Sequence, residues 1–152
     1  MDCVIAHKFG STWFNVPLTP VLATQVAWTA GYLFSNGTPN GAAVIPFITQ
    51  RGCRIYEWRF QRYNNSGSGN LTGKLRKAVI SAGAVVSSDV DTVTLVNPPA
   101  SFQVTDRASA AFTGTGGALD IVGADEMRWF EFTLPSLDMR ISMLQVLMDS
   151  GP

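Results

Sequence analysis

Charge is the scarcest resource in this sequence. Asp, Glu, Lys and Arg make up 14% of its 152 residues, against roughly 25% in an average soluble protein. Lysine is scarcer than arginine, with Lys8, Lys74 and Lys77 set against eight arginines. Much of the surface must then be Ser, Thr, Asn, Gly or apolar, an exterior that suits proteins burying area on one another. Histidine occurs once, as His7. A nucleophile–histidine–acid site would have to be built on that residue. Along an extended strand Cys3 stands roughly 13 Å from it, which argues against a local dyad. Cys3 and Cys53 are the only cysteines and show no close metal-ligand spacing, so zinc and other cofactors are not expected. Both thiols are expected to be buried as small hydrophobes.

Long apolar runs are also missing. None approaches the ~20 residues of a membrane helix, so no membrane partner is expected. Residues 1–10 lack a basic segment followed by an apolar core, so no secretory signal is expected there. Two glycine motifs lack the context that would give them chemistry. Gly69-Asn70-Leu71-Thr72-Gly73-Lys74-Leu75 is one residue short of a P-loop and has no Ser or Thr after the lysine. Gly67-Ser68-Gly69 sits in no βαβ unit.

What the chain does have is β signal. Cys53–Gln61 and its continuation to Arg62 is the densest stretch. Strict alternation would put Arg54, Tyr56, Trp58, Phe60 and Arg62 on one face, with Glu57 and Arg59 among those on the other. A helix would scatter these rings around its axis. A second aromatic strand spans Met127–Thr133, with Arg128, Phe130 and Phe132 on one face and Met127, Trp129 and Glu131 on the other. Large groups on both faces imply a central strand or a subunit contact. Residues 25–34 alternate as one strand, 42–49 as another with Pro46 marking an edge or bulge, and 90–96 as a third. The stretch 74–86 mixes helical spacing with β-branched pairs, and a strand over 75–80 is expected. Residues 139–148 fit a closing strand or a helix capped by Ser136, and the all-β context favours the strand.

Turn signals recur about every 8–12 residues, the pattern of a sandwich or barrel. The expected fold is all-β: a single-domain β-sandwich over residues 1–152, jelly-roll-like, with eight to ten short antiparallel strands.

Charge is unevenly placed. Residues 51–77 carry net +6 and residues 78–152 carry net −6, for a total of zero. The halves can neutralise each other within the fold, or a basic edge can meet an acidic edge on a neighbouring subunit. Nucleic acid is disfavoured, because domains that bind it are basic overall. Carboxylate pairs are the remaining route to catalysis: Asp89 with Asp91, Asp125 with Glu126, and Glu131 with Glu57. A glycosidase would need two carboxyls roughly 5–9.5 Å apart, and solvated strand ends are the plainer reading.

The leading expectation is therefore a non-enzymatic structural protein, a viral or phage particle component such as a capsid, decoration or tail protein. It would pair with itself as a homo-oligomer and with other assembly subunits. It would be made as a soluble cytoplasmic chain and end in the virion or outside the cell. The candidate interface residues are Arg54, Tyr56, Trp58, Phe60, Arg62, Trp129 and Glu131. The alternative is a carbohydrate-binding or receptor-binding sandwich, with surface glycans as partners. It requires at least two of Trp13, Trp28, Trp58 and Trp129 to be exposed and coplanar.

Overall fold

In a computed structural model of the chain, the described residues are 11–24, 26–29, 32–35, 41–47, 49, 51–64, 68–98, 101–107, 120–136 and 139–149. They form twelve strands: β1 (Thr12–Asn15), β2 (Leu22–Thr24), β3 (Val26–Thr29), β4 (Tyr32–Ser35), β5 (Gly41–Phe47), β6 (Arg54–Asn64), β7 (Leu71–Ser81), β8 (Ala84–Leu95), β9 (Ser101–Arg107), β10 (Asp120–Ile121), β11 (Glu126–Leu134) and β12 (Met139–Asp149). The strands pair antiparallel in two sheets. The seven-stranded sheet is built on β6 and β12. Strands β9 and β10 lie along the far side of β6, β1 and β4 along the far side of β12, and β3 beyond β4. The five-stranded sheet runs β2-β5-β11-β7-β8. The expected β-sandwich is thus present, with more strands than anticipated among the described residues.

The inner faces meet over a cluster of rings. Trp58 and Phe60 from β6 are fully buried, as are Phe130 and Phe132 from β11. The Trp58 ring lies 5.7 Å from Phe60 and 5.3 Å from Phe130, and Phe60 meets Phe132 edge-on at 5.2 Å. A buried indole N–H needs an acceptor, and Trp58 Nε1 donates to Asp91 Oδ2 of β8 at 2.8 Å. Cys53 is buried in the same core and unbridged; Cys3 and His7 lie outside the described residues.

Three bulges re-aim the sequence pattern. On β6, Glu57 pairs with Leu147 and Ile55 with Met148, leaving Tyr56 as the extra residue. A bulge flips the side-chain parity beyond it. Ile55 therefore shares the core with Trp58 and Phe60, while Tyr56 packs with Leu147 and Trp13 in a separate cluster. This corrects the expectation that Tyr56 shares a face with Trp58 and Phe60. On β12 the extra residue is Ser142, which lets Met139 and Ile141 face inward together with Leu144 and Val146. On β8 it is Val90, between Asp89 and Asp91.

Residues 139–149 form a strand, as the β context indicated, and β11 is central in its sheet. Pro46 sits beyond the stretch of β5 that β2 covers, Ala42 to Val44, and so occupies an edge-like position. The single strand expected over residues 25–34 is instead a hairpin, with Val26 opposite Ser35 and Thr29 opposite Tyr32. The strand expected over 75–80 extends to Leu71–Ser81 and turns through Ala82 and Gly83, at φ of 50° and 78°, into β8. Two positive φ values are what a tight two-residue hairpin requires. The sequence pattern also predicts a short strand over 109–113 and a turn over 114–117, both of which lie outside the described residues.

Candidate functional site

The carboxylate pairs separate on folding. The bulge at Val90 sends Asp91 to Trp58, while Asp89 meets Lys74 Nζ at 2.8 Å and Arg76 Nε at 2.9 Å. The Arg76 Nε contact is an ion pair without hydrogen-bond alignment. Lys74 first, and Arg76 with it, holds the Asp89 carboxyl below its ordinary pKa. Glu131 accepts from Arg76 Nη1 at 2.9 Å and from Trp129 Nε1 at 2.8 Å. Glu131 lies on the outer face of the five-stranded sheet, whereas Glu57 belongs to the other sheet. Asp125 is exposed at a positive-φ turn.

Glu126 accepts from Arg128 Nη2 at 2.7 Å and from the Gly123 amide at 2.7 Å, and its pKa is lowered, by Arg128 above all. Arg128 Nε donates to Asp120 at 2.6 Å, which ties β11 of one sheet to β10 of the other. Burial works against the Arg128 charge, but Asp120 and Glu126 outweigh it and raise its pKa. Asp89, Asp91, Asp120, Glu126 and Glu131 are thus each engaged by a cation or an indole. Among the described residues no group of three or more His, Cys, Asp or Glu could hold a metal.

The candidate interface residues scatter in the same way. Trp58 and Phe60 are fully buried, and Tyr56 and Arg62 nearly so, because they serve the sandwich itself. They are therefore not available to a partner. Arg54, Trp129 and Glu131 remain partly exposed. The opposed charges also meet inside one chain: Lys74 and Arg76 with Asp89 and Glu131.

What the fold does assemble is the outer face of the seven-stranded sheet. Register sets Asn15 of β1 opposite Gln145 of β12, and Gln145 opposite Arg59 of β6. This row is hydrogen-bonded end to end: Arg59 Nε donates to Gln145 Oε1 at 2.8 Å, and Gln145 Nε2 donates to Asn15 Oδ1 at 2.7 Å. The Arg59 guanidinium lies 3.9 Å over the Trp13 ring. Farther along, Arg140 of β12 stands opposite Tyr63 of β6, with its guanidinium 5.5 Å from the Tyr63 ring and 5.4 Å from the Tyr32 ring. Trp13, Tyr32 and Tyr63 are each partly exposed. Below this row, Tyr56 Oη donates to Asp149 at 2.7 Å, and burial first, then Asp149, raises the Tyr56 pKa.

Among the tryptophans with described side chains, no two make a coplanar platform. Trp58 is core, Trp13 and Trp129 lie on different sheets, and the side chain of Trp28 is outside the described set. Arg59, Gln145, Asn15 and Arg140 escaped the sequence reading. Alternation set Arg59 on the face opposite Trp58, but the bulge at Ser142 concealed the outward parity of Gln145, and nothing local joins the four. Beside this face, where β1 leaves the sheet, lies a cleft of about 360 Å³ lined in part by Asn15, Pro17 and Ser142.

No protein-family model matches the sequence, and comparison with curated proteins gives no match. Solved structures do share the fold. The C-terminal CBM6 of LamC, a marine laminarinase from Zobellia galactanivorans, aligns with a TM-score of 0.50 at 10% identity, over 89% of this chain and 98% of that one. The GH26-CBM35 β-(1,4)-mannanase of Podospora anserina aligns with a TM-score of 0.52 at 10% identity, over 94% of this chain and 28% of the mannanase. CsCBM6-3 from Clostridium stercorarium, solved with cellobiose, aligns less closely, with a TM-score of 0.44 at 10% identity over 89% of this chain and 92% of that one. The first two likenesses, at TM-scores of 0.50 and 0.52, correct the expectation of a virion, capsid, decoration or tail component. A surface poor in charge and rich in Ser, Thr and Gly serves a carbohydrate-binding sandwich equally well, so composition could not separate the two. What the chain shares with the laminarinase module is a two-sheet antiparallel β-sandwich that extends over nearly all of both chains.

Proposed function

We propose that this protein binds carbohydrate without cleaving it, through the outer face of the seven-stranded sheet. The observation that carries this reading is the exposed row Asn15–Gln145–Arg59, flanked by Trp13 on one side and by Tyr32 and Tyr63 on the other. A sugar presents apolar C–H faces and a rim of hydroxyls. Partly exposed rings supply the apolar contact. Amide and guanidinium groups supply donors and acceptors held in fixed directions. A sheet surface presents both with little entropy left to lose on binding. The engagement of Asp89, Asp91, Glu126 and Glu131 with Lys74, Trp58, Arg128 and Arg76 supports a binding role over a hydrolytic one.

Affinity electrophoresis against a panel of neutral and acidic polysaccharides tests the reading. At least one polysaccharide should retard the protein, and Gln145→Ala and Asn15→Ala should weaken that retardation without shifting the melting temperature. Absence of binding across the panel, or binding indifferent to both substitutions, would overturn it.

A further inference from the structure

Resting on that reading, we infer that the ligand of this face is an acidic polysaccharide whose carboxylate or sulfate groups are taken by Arg59 and Arg140. Arg59 and Arg140 are engaged differently from the arginines of the other sheet. On the five-stranded sheet Lys74 and Arg76 are paired with Asp89 and Glu131, and Arg128 is closed between Asp120 and Glu126. On the outer face of the seven-stranded sheet, among the described residues, neither Arg59 nor Arg140 meets a carboxylate. Their partners are aromatic rings and one neutral amide. Of the acids of that sheet with described side chains, Glu57 is buried, Asp149 accepts from Tyr56 and Asp120 accepts from Arg128.

The Arg59 guanidinium lies over the Trp13 ring, and that of Arg140 stands within reach of the Tyr32 and Tyr63 rings. A ring beneath a guanidinium fixes its plane, and the N–H groups in that plane form the fork that matches a carboxylate or sulfate. Arg59 spends Nε on Gln145, which Asn15 in turn holds, and that bond leaves its two Nη groups as further donors. Arg140 faces Tyr63, four residues along β6 from Arg59, or about 13 Å. Two anion sites at that separation suit a polymer with repeating charge better than a single small anion. A nucleic acid also repeats its charge, but the net charge of zero argues against that partner.

The test measures the full chain by titration calorimetry against polygalacturonate, a sulfated galactan, neutral laminarin and mannan, and single-stranded oligothymidylate, at low and high salt. At least one acidic polysaccharide should bind, and more weakly as salt rises. Arg59→Gln and Arg140→Gln should each weaken it by about tenfold or more, equivalent to ~1.4 kcal/mol, while Arg51→Gln on an exposed turn leaves it unchanged. The carboxylated and sulfated arms separate the two anion sources. Should Arg59→Gln unfold the protein through its contact with Trp13, Arg140→Gln alone decides. Salt-insensitive binding of laminarin or mannan that survives both arginine changes would overturn the inference and leave the carbohydrate reading standing. Preference for oligothymidylate would overturn the inference, and failure of every polysaccharide would overturn both.

Discussion

At Gly73 an added Cβ would stand 2.9 Å from Phe132 Cε1 and 3.1 Å from Trp58 Cη2. The rings occupy the space a side chain would need, so a glycine on the inner face of β7 is a packing requirement. Gly73→Ala should destabilise by about 1–3 kcal/mol through overpacking, lowering the melting temperature by roughly 2–12 °C. An unchanged melt would mean the ring cluster has slack. Ser142 is the opposite case. Its Oγ is buried without a partner at the β12 bulge, and an unsatisfied hydroxyl costs about 1–3 kcal/mol. Ser142→Ala should therefore leave chemical-denaturation stability unchanged or raise it, and a loss beyond about 1 kcal/mol would show that the hydroxyl has a partner in solution. Neither effect can be read from sequence, because a Gly within a β pattern and a Ser in a strand are both unremarkable until their neighbours are placed.

The hairpin of β7 and β8 shows what an element can hide. Leu75, Ala78, Val79 and Ala82 have helical spacing, and the turn carries Ala where Asn or Asp would have announced it. At φ of 50° Ala82 holds a left-handed conformation that disfavours any residue with a Cβ. Asn tolerates it through local hydrogen bonding. Ala82→Asn should raise the melting temperature by roughly 2–4 °C, a gain of about 1 kcal/mol; a fall would mean the solution turn is not this one. Strands β6 and β11 were legible, since their aromatic and apolar residues alternate, and β12 only from its all-β context. Which face each residue takes was not, because the bulges at Tyr56 and Ser142 reverse parity midway.

For the whole molecule, the buried ion cluster is the tie between the sheets. Arg128 spans from β11 to Asp120 of β10, with its side chain fully buried. Arg128→Met leaves two carboxylates without their cation and should cost about 3–5 kcal/mol. The pH dependence follows from the same groups. The folded pKa values of Glu126 and Asp89 lie below their ordinary ones, so the unfolded chain takes up protons first as pH falls. Their contribution is fully present above the ordinary carboxylate range, near pH 4, and is lost as pH drops through the folded values. Glu126 should dominate, since Asp89 is more exposed and better screened. Tyr56, raised by burial and Asp149, adds stability below pH 10 that is lost above it. Urea unfolding across pH checks both limits. A wild-type acid limb that persists undiminished in Arg128→Met would show that the cluster is not its source.

By itself the sequence determined that this chain is a β-sandwich: alternation and turn spacing are local properties, and any fold that buries those strands must respect them. The tertiary structure alone decided which rings are core, which acids are neutralised, and that two arginines on one sheet are left facing aromatic rings. Those outcomes depend on register across strands far apart in the chain, and a one-residue bulge is enough to exchange the buried face for the exposed one.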